Sequence, residues 1–397
     1  MLNHNIKGKG TYIRCLNFAK NLVRFGHSVV ILTSAPIHIL RPKKEIIDGV
    51  EVICMPDPMG KRIRNGGLGP IDTFLRCIFL LINRTNFDIV ESFDHRPAVF
   101  YPSLFAKYLL HIPLIAEWTD LHGEGGSLSL RPRKLQNLIG PYENFTECKS
   151  KKIAEKLIVI STWLKEKAVR IGVPEADIVY IPGGAEIDMI KPLPKKNVRK
   201  KFNLPMDQKI IGYTAGTHYD IRLLIETINQ VQKARKDVLL VTTGATFDPR
   251  IRKQLNAPDR VVEFGFLSYD KYTRLLPAID VFIFPFSDKT VNKGRWPNKI
   301  GDYMAAGRPT VSNKTGDLVA LFEKHKIGLL ASENPEDLSE KTLILLSDET
   351  MSKELGFNAR QTAERYYDWR LLSKNLEACL AEVVKRHMNY SETDNPN

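Results

Sequence analysis

Short apolar runs bounded by glycine and proline alternate along this chain with longer stretches of helical spacing, and the alternation occurs in two series. In the first, Tyr12, Leu16, Ala19 and Val23 recur at helical intervals until Gly26, after which 28–33 (S-V-V-I-L-T) reads as a buried strand. Strands follow at 50–55, 88–90, 113–117 and 157–160, with a helix running to 110 and another over 161–171 that Ser161 or Thr162 can cap. The second series opens at 209, with strands at 210–214, 238–242, 261–264 and 281–284, helices to about 233 and over 269–277, and further elements over 318–325 and 334–346. Such alternation calls for parallel sheets covered on both faces. Between the series, residues 181–201 hold three prolines, a glycine pair and a basic run, which is linker chemistry. The expected organisation is a first α/β domain over 1–181, a linker over 182–201 and a second α/β domain over 202–365. A C-terminal helix over 366–389 would return to the first domain, and 390–397 would be a disordered tail. Only residues 1–3 precede the first glycine-bearing loop, so the opening strand is either stunted or incomplete.

A chain of 397 residues is long enough for two cores, and 43% hydrophobic with 26% charged residues is ordinary globular composition. No apolar run approaches the roughly 20 residues that span a bilayer. The longest, 74–82, is broken by Arg76 and reads as a core or interfacial helix. The polar N-terminus carries no signal-peptide pattern, and five cysteines (15, 54, 77, 148, 379) without a C-x-x-C pair suit reduced thiols in the cytoplasm. The net charge is +13, with clusters at Lys61, Arg62, Arg64 and at Arg131, Arg133, Lys134. Such clusters suit an anionic membrane surface at the inner face or an acidic acceptor, and equally a solvated basic surface. Nucleic acid is not expected, because aromatic and basic residues are not interleaved. No D-x-D closes a strand and no histidines or cysteines cluster, so no metal site is expected either.

The chemistry concentrates in 280–311, D-V-F-I-F-P-F-S-D-K-T-V-N-K-G-R-W-P-N-K-I-G-D-Y-M-A-A-G-R-P-T-V. It reads as strand, polar loop, helix opened by Pro297, stop at Gly307 and Pro309, then strand. A helix N-terminus offers unpaired N–H groups and a positive dipole end to phosphate, and an acid one turn in, Asp302, suits ribose hydroxyls. Asn298 and Lys299 open that helix; Lys293 and Arg295 precede it.

This segment resembles the donor-site helix of family 4 glycosyltransferases, specifically a variant subgroup with P-N-K and an acid–Tyr pair before M-A-A-G. Most members carry two glutamates eight residues apart; here Gly294 stands at the first position and Asp302 at the second. Three other stretches are similar to family patterns: K-G-T-Y-I-R-C-L-N-F-A-K-N-L-V-R-F-G-H-S-V (9–29), I-S-T-W-L-K with I-G-V-P-E-A-D-I-V-Y-I-P-G-G-A-E (160–186), and E-F-G-F-L-S-Y-D-K-Y with L-P-A-I-D-V-F-I-F-P (263–285). The resemblance implies a GT-B fold, two Rossmann-like doubly wound parallel-sheet domains facing a central cleft. It also implies a retaining, metal-independent enzyme that takes a nucleotide-diphosphate sugar as substrate, with no cofactor, and passes the sugar to a hydroxyl of a glycan or lipid-linked saccharide.

Carried onto this sequence, the donor-binding set is Gly10, Gly216, Thr217, His218, Gly244, Phe266, Leu267, Lys293, Arg295, Asn298, Lys299 and Asp302. The family's Arg–Lys clamp after the first strand of the second domain is shortened here, and Lys293, Arg295 and Lys299 are the cations left to neutralise a diphosphate. Asp120, closing a strand in W-T-D-L-H, is the candidate for positioning or deprotonating the acceptor hydroxyl, with His122 second. Asp94, His95 and Arg96 are assigned to the acceptor. A nucleotide-sugar epimerase of the same architecture and a non-catalytic nucleotide-sugar-binding protein are the alternatives.

Overall fold

The computed structural model describes residues 1–8, 10–216 and 220–393, arranged in two compact units. The first takes residues 1–182, 294–296 and 369 onward; the second takes 183–293 and 297–368.

In the first unit the chain runs β1 (Leu2–Asn3), α1 (Thr11–Arg24), β2 (Val30–Ser34), β3 (Lys43–Ile47), β4 (Val50–Met55), α2 (Lys61–Asn65), α3 (Pro70–Ile82), β5 (Val90–Phe93), α4 (Pro97–Leu109), β6 (Leu114–Trp118), α5 (Arg133–Lys152), β7 (Lys156–Val159), α6 (Thr162–Arg170) and β8 (Ile178–Tyr180). Its eight strands order as β3-β4-β2-β1-β5-β6-β7-β8. All pairs are parallel except β3 with β4, which is antiparallel. The sheet is therefore not wholly parallel as the alternation implied: K-K-E-I-I is too charged to read as a strand, and it forms one only as an edge partner of β4. β5 runs three residues beyond its expected end, because Glu91, Ser92 and Phe93 are all buried. Apolar residues of α1, including Phe18 and Leu22, cover one face of the sheet over Ile31, Val52 and Ile115. Residues of α3 and α4, including Leu80 and Val99, cover the other over Leu32, Ile53 and Leu114.

The second unit runs α7 (Lys195–Lys201), β9 (Lys209–Ala215), α8 (Ile221–Ala234), β10 (Val238–Gly244), α9 (Pro249–Arg252), β11 (Val261–Glu263), α10 (Tyr269–Leu275), β12 (Val281–Phe284), α11 (Thr290–Lys293), α12 (Asn298–Ala305), β13 (Thr310–Asn313), α13 (Leu318–His325), β14 (Gly328–Ala331), α14 (Pro335–Ser347) and α15 (Glu349–Thr362). Its six strands are all parallel, in the order β11-β10-β9-β12-β13-β14. The basic end of the expected linker is not loop: it is α7, tied to this unit where Lys195 and Arg199 both meet the Asp280 carboxylate. A last helix, α16 (Trp369–Thr393), belongs to the first unit and packs its Trp369 edge-on against Phe18 of α1, ring centroids 5.3 Å apart. Residues 390–393 continue that helix rather than opening a disordered tail. Among the described residues no helix is long and apolar enough to cross a membrane, and all five cysteines are free thiols.

Each sheet has one point where the strand order reverses. In the first unit it lies between β1 and β5, in the second between β9 and β12. Loops leaving the C-terminal ends of strands diverge there and open a crevice.

Candidate active site

At the reversal in the first unit the loops after β1 and β5 bring His4 and Asp94 together, with His4 Nδ1 3.6 Å from Asp94 Oδ2. Asp94 takes a left-handed backbone (φ 70°), a conformation an Asp tolerates better than most side chains. Its Oδ1 accepts from Thr119 Oγ1 at 2.7 Å, and its Oδ2 lies 3.7 Å from His122 Nε2. Arginine only donates, so Arg96 Nη2, 3.2 Å from His122 Nδ1, makes that nitrogen an acceptor and puts the proton of the neutral ring on Nε2, towards Asp94.

Helix α5 holds this arrangement from behind. Glu147 accepts from the backbone N–H groups of His122 (2.9 Å) and Gly123 (2.8 Å) and from Trp118 Nε1 (3.0 Å), which fixes the loop after β6. Glu143 accepts from Arg96 and lies 3.9 Å from His95 Nε2. Burial pushes the His4 pKa down to about 3 and that of His95 well below the ordinary imidazole value, so both rings are neutral. Burial works to raise the Asp94 carboxyl; the His122 ring, His4 and Lys151 outweigh it and hold the group well below the usual carboxylate range.

Asp120 also belongs to this unit, half-buried, with Arg295 Nε 3.2 Å from its Oδ1. Burial raises its pKa and the Arg295 guanidinium opposes the rise. Gly10, at the start of α1, has a positive φ of 51° that favours glycine, and a Cβ there would meet the end of the Asn5 side chain at 2.8 Å.

The second unit gathers a different set. Asp302, half-buried on α12, accepts at Oδ2 from the Tyr272 hydroxyl of α10 at 2.8 Å. Burial, with the nearby Glu186, pushes its pKa up to about 7, against the pull of Tyr272 and Lys299. The helix sits unusually close to the preceding backbone, since a Cβ on Gly301 would come within 2.5 Å of Gly184 O. On the same helix Tyr303 stacks on Phe282 at 3.8 Å and bonds Thr214 Oγ1 at 2.7 Å, locking α12 to β9 and β12. At the strand-order reversal Asp220 accepts from Ser287 Oγ (2.6 Å), Ser287 N (3.2 Å) and Lys289 Nζ (3.0 Å), tying the loop after β9 to the loop after β12.

The sequence-expected residues thus fall into two groups. Asp94, His95, Arg96, Asp120 and His122 come together in the first unit, where Gly10 also lies. Gly216, Gly244, Phe266, Leu267, Lys293, Asn298, Lys299 and Asp302 are in the second. Arg295 departs from the expected set: it is grouped with Asp120 rather than with Lys293 and Lys299. Lys293 lies 3.1 Å from Asp288, so it too already has a carboxylate partner. Phe266 is largely exposed just beyond β11, and Gly244 closes β10 with its N–H on Gly265 O at 2.8 Å. Thr217 and His218 lie outside the described residues. Sequence reasoning passed over His4, Thr119, Glu143, Glu147, Asp220 and Tyr272. The two-residue β1 hid His4, and the glutamates are separated in sequence from the loop they fold.

Comparison with known proteins bears on both units. Residues 9–189 match the family model described as Glycosyltransferase Family 4, and residues 208–348 the model described as Glycosyl transferases group 1. An uncharacterised glycosyltransferase of Methanocaldococcus jannaschii is 22% identical over 377 residues, covering 92% of each chain. Among solved structures, the sucrose-phosphate synthase of Thermosynechococcus elongatus matches with a TM-score of 0.76 at 17% identity, covering 97% of this chain and 96% of that one. The HepE protein of Anabaena, solved in complex with UDP-glucose, matches with a TM-score of 0.68 at 16% identity, covering 96% of this chain and 99% of that one. The chain carries a Glycosyltransferase Family 4 domain followed by a Glycosyl transferases group 1 domain, and is a glycosyltransferase of the GT-B type.

Proposed function

We propose that this protein transfers a sugar from a nucleotide-diphosphate donor to a hydroxyl of a glycan or lipid-linked saccharide, with retention of anomeric configuration and without a metal ion. The observation that carries the reading is the set of polar atoms left over at the first unit's strand reversal. Asp94 Oδ2, His4 Nδ1 and His122 Nε2, which approach one another no closer than 3.6 Å, and both ring nitrogens of His95 are buried without a partner at hydrogen-bond distance among the described residues. Leaving such groups unpaired costs roughly 1–3 kcal/mol each, and a ligand rich in hydroxyls both donates and accepts as they require. Asp120, raised in pKa but held by Arg295, is suited to orient or take the proton of the attacking hydroxyl. As the new bond to the anomeric carbon forms, the bond to the diphosphate oxygen breaks and the nucleoside diphosphate leaves.

The donor is assigned to the second unit, with its ribose on Asp302 and its diphosphate at the N-terminus of α12 beside Lys299. The likeness to a protein that binds UDP-glucose supports a donor of this class. The test is a thermal-shift panel of nucleotide sugars, followed by release of nucleoside diphosphate in the presence of glycan acceptors. Asp120→Asn should keep the donor-induced shift and lose about a hundredfold or more of the turnover. A folded protein stabilised by no nucleotide sugar would overturn the reading. An inverted product would overturn retention, and conversion of the donor to its epimer without acceptor would replace transfer by epimerisation.

A further inference from the structure

Helix α3 exposes an apolar stripe while burying an ion pair beside its core residue Leu80. A helix at the surface of a globular protein turns its apolar stripe inward and its charges to water. Here the inward face carries Asp72 and Arg76, both fully buried, with Arg76 Nε 2.5 Å from Asp72 Oδ1, Ser34 Oγ donating to Asp72 Oδ2 at 2.6 Å and Arg76 Nη1 donating to Asn3 O at 2.8 Å. The outward face carries Ile71, Phe74, Leu81 and Ile82 at helical spacing, with Phe74 64% and Ile82 74% exposed. Helix α5 repeats the pattern. Glu143, Glu147 and Lys151 are buried, whereas Leu135, Leu138, Tyr142 and Phe145 face out, Leu138 78% and Phe145 61% exposed. Between them α4 packs against both and joins α5 through the Tyr101 and Tyr142 hydroxyls, 3.2 Å apart, so the apolar stripes share one side of the unit. Exposed apolar stripes of this kind, on helices that flank a common neighbour, mark an interface.

The charges around it identify the occupant. Every acid on α3 and α5 is buried, as Asp72, Glu143 and Glu147. The bases at the margins are exposed: Lys61 and Arg62 before α3, Arg84 after it, and Arg133, Lys134 and Lys149 on α5. A second copy pairing through this face would set like charges against each other, because a two-fold interface presents the same patch from both sides. An apolar stripe on helices whose own exposed charges are cations is instead the composition that lies in the headgroup layer of an anionic membrane.

We propose that the outward face of α3 and α5 docks this protein on an anionic lipid bilayer, with Phe74, Ile82, Leu138 and Phe145 entering the interface and Lys61, Arg62, Arg133 and Lys134 meeting the lipid phosphates. The inference goes beyond the transfer reaction and stands without it. Because α5 also carries Glu143 and Glu147 to the acceptor-side cluster, one helix would serve both the membrane and the site.

The test is co-sedimentation of the full chain with phosphatidylcholine vesicles, with and without phosphatidylglycerol. Binding should require phosphatidylglycerol, weaken with salt, and fall about fivefold for each cation removed in Arg133→Gln and Lys134→Gln. Phe74→Ser with Phe145→Ser should reduce binding by about tenfold or more at an unchanged melting temperature, since both side chains are already in water. If that pair proves unstable, Ile82→Ser with Leu138→Ser makes the same test. Absence of binding, equal binding to neutral and anionic vesicles, or unchanged binding by the serine variants would overturn the proposal. So would a dimer in sedimentation equilibrium that the serine variants dissolve while vesicles bind neither form.

Discussion

Asp302 titrates where a cell's pH lies, so its charge is conditional. In the unfolded chain it ionises near the ordinary carboxylate value; in the fold, burial moves it to about 7. Between those values the fold holds a proton that the unfolded chain has lost, so this group's contribution to stability falls as pH rises through the window. Replacing it with Asn removes that penalty. The melting temperature of Asp302→Asn relative to the parent should therefore climb from pH 5 to pH 8, and a flat or falling difference would refute the assignment. Asp120 allows a second test, because burial and Arg295 pull its pKa in opposite directions. Arg295→Gln should move the acidic limb of the kcat/KM profile to higher pH, and a limb that stays in place would mean Arg295 does not govern that carboxyl. Asp120, His122 and Asp94 were legible in the sequence because each follows an apolar strand whose end lines a crevice. Tyr272 was not: its hydroxyl acquires meaning only once α10 is packed beside α12.

At the scale of elements, legibility followed hydrophobicity. The apolar run V-E-V-I-C-M was read as a strand over the residues that form β4, whereas its neighbour β3 escaped because two lysines and a glutamate conceal a strand that exists only through pairing. Helix α3 was legible as a core or interfacial helix, and it has both characters: Leu80 joins the core while Phe74 and Ile82 face out. Its other inward positions hold the Asp72–Arg76 pair, whose guanidinium satisfies carbonyls of β1 and β2. A buried ion pair of this kind stabilises little against an apolar substitute, yet removing one partner strands the other charge. Arg76→Met should cost about 3–5 kcal/mol in urea unfolding, and the double change Asp72→Leu with Arg76→Met should recover most of the loss. Simple additivity in that cycle would show that the two side chains are not coupled.

The whole chain is threaded so that the first unit is completed last. Two α/β series separated by a proline- and glycine-bearing segment were visible in the sequence because most of the strands are short apolar runs. A C-terminal helix returning to the first domain was expected over 366–389, and α16 groups with the first unit; the side chains that attach it are Trp369, Leu372, Leu376, Cys379 and Val383. Those five side chains join the cluster formed by Tyr12, Phe18 and Leu22 of α1. Burial of each is worth about 1.5–3 kcal/mol, so together they rival the roughly 5–15 kcal/mol that holds a whole domain folded. A chain ending at residue 368 should therefore lose hydrogen-exchange protection throughout β1 to β8 while β9 to β14 keep theirs, because that sheet buries its own core beneath α8 and α14. Protection retained in both sheets would show that α16 is an accessory, and loss in both would show that the two units do not fold as separate cooperative bodies.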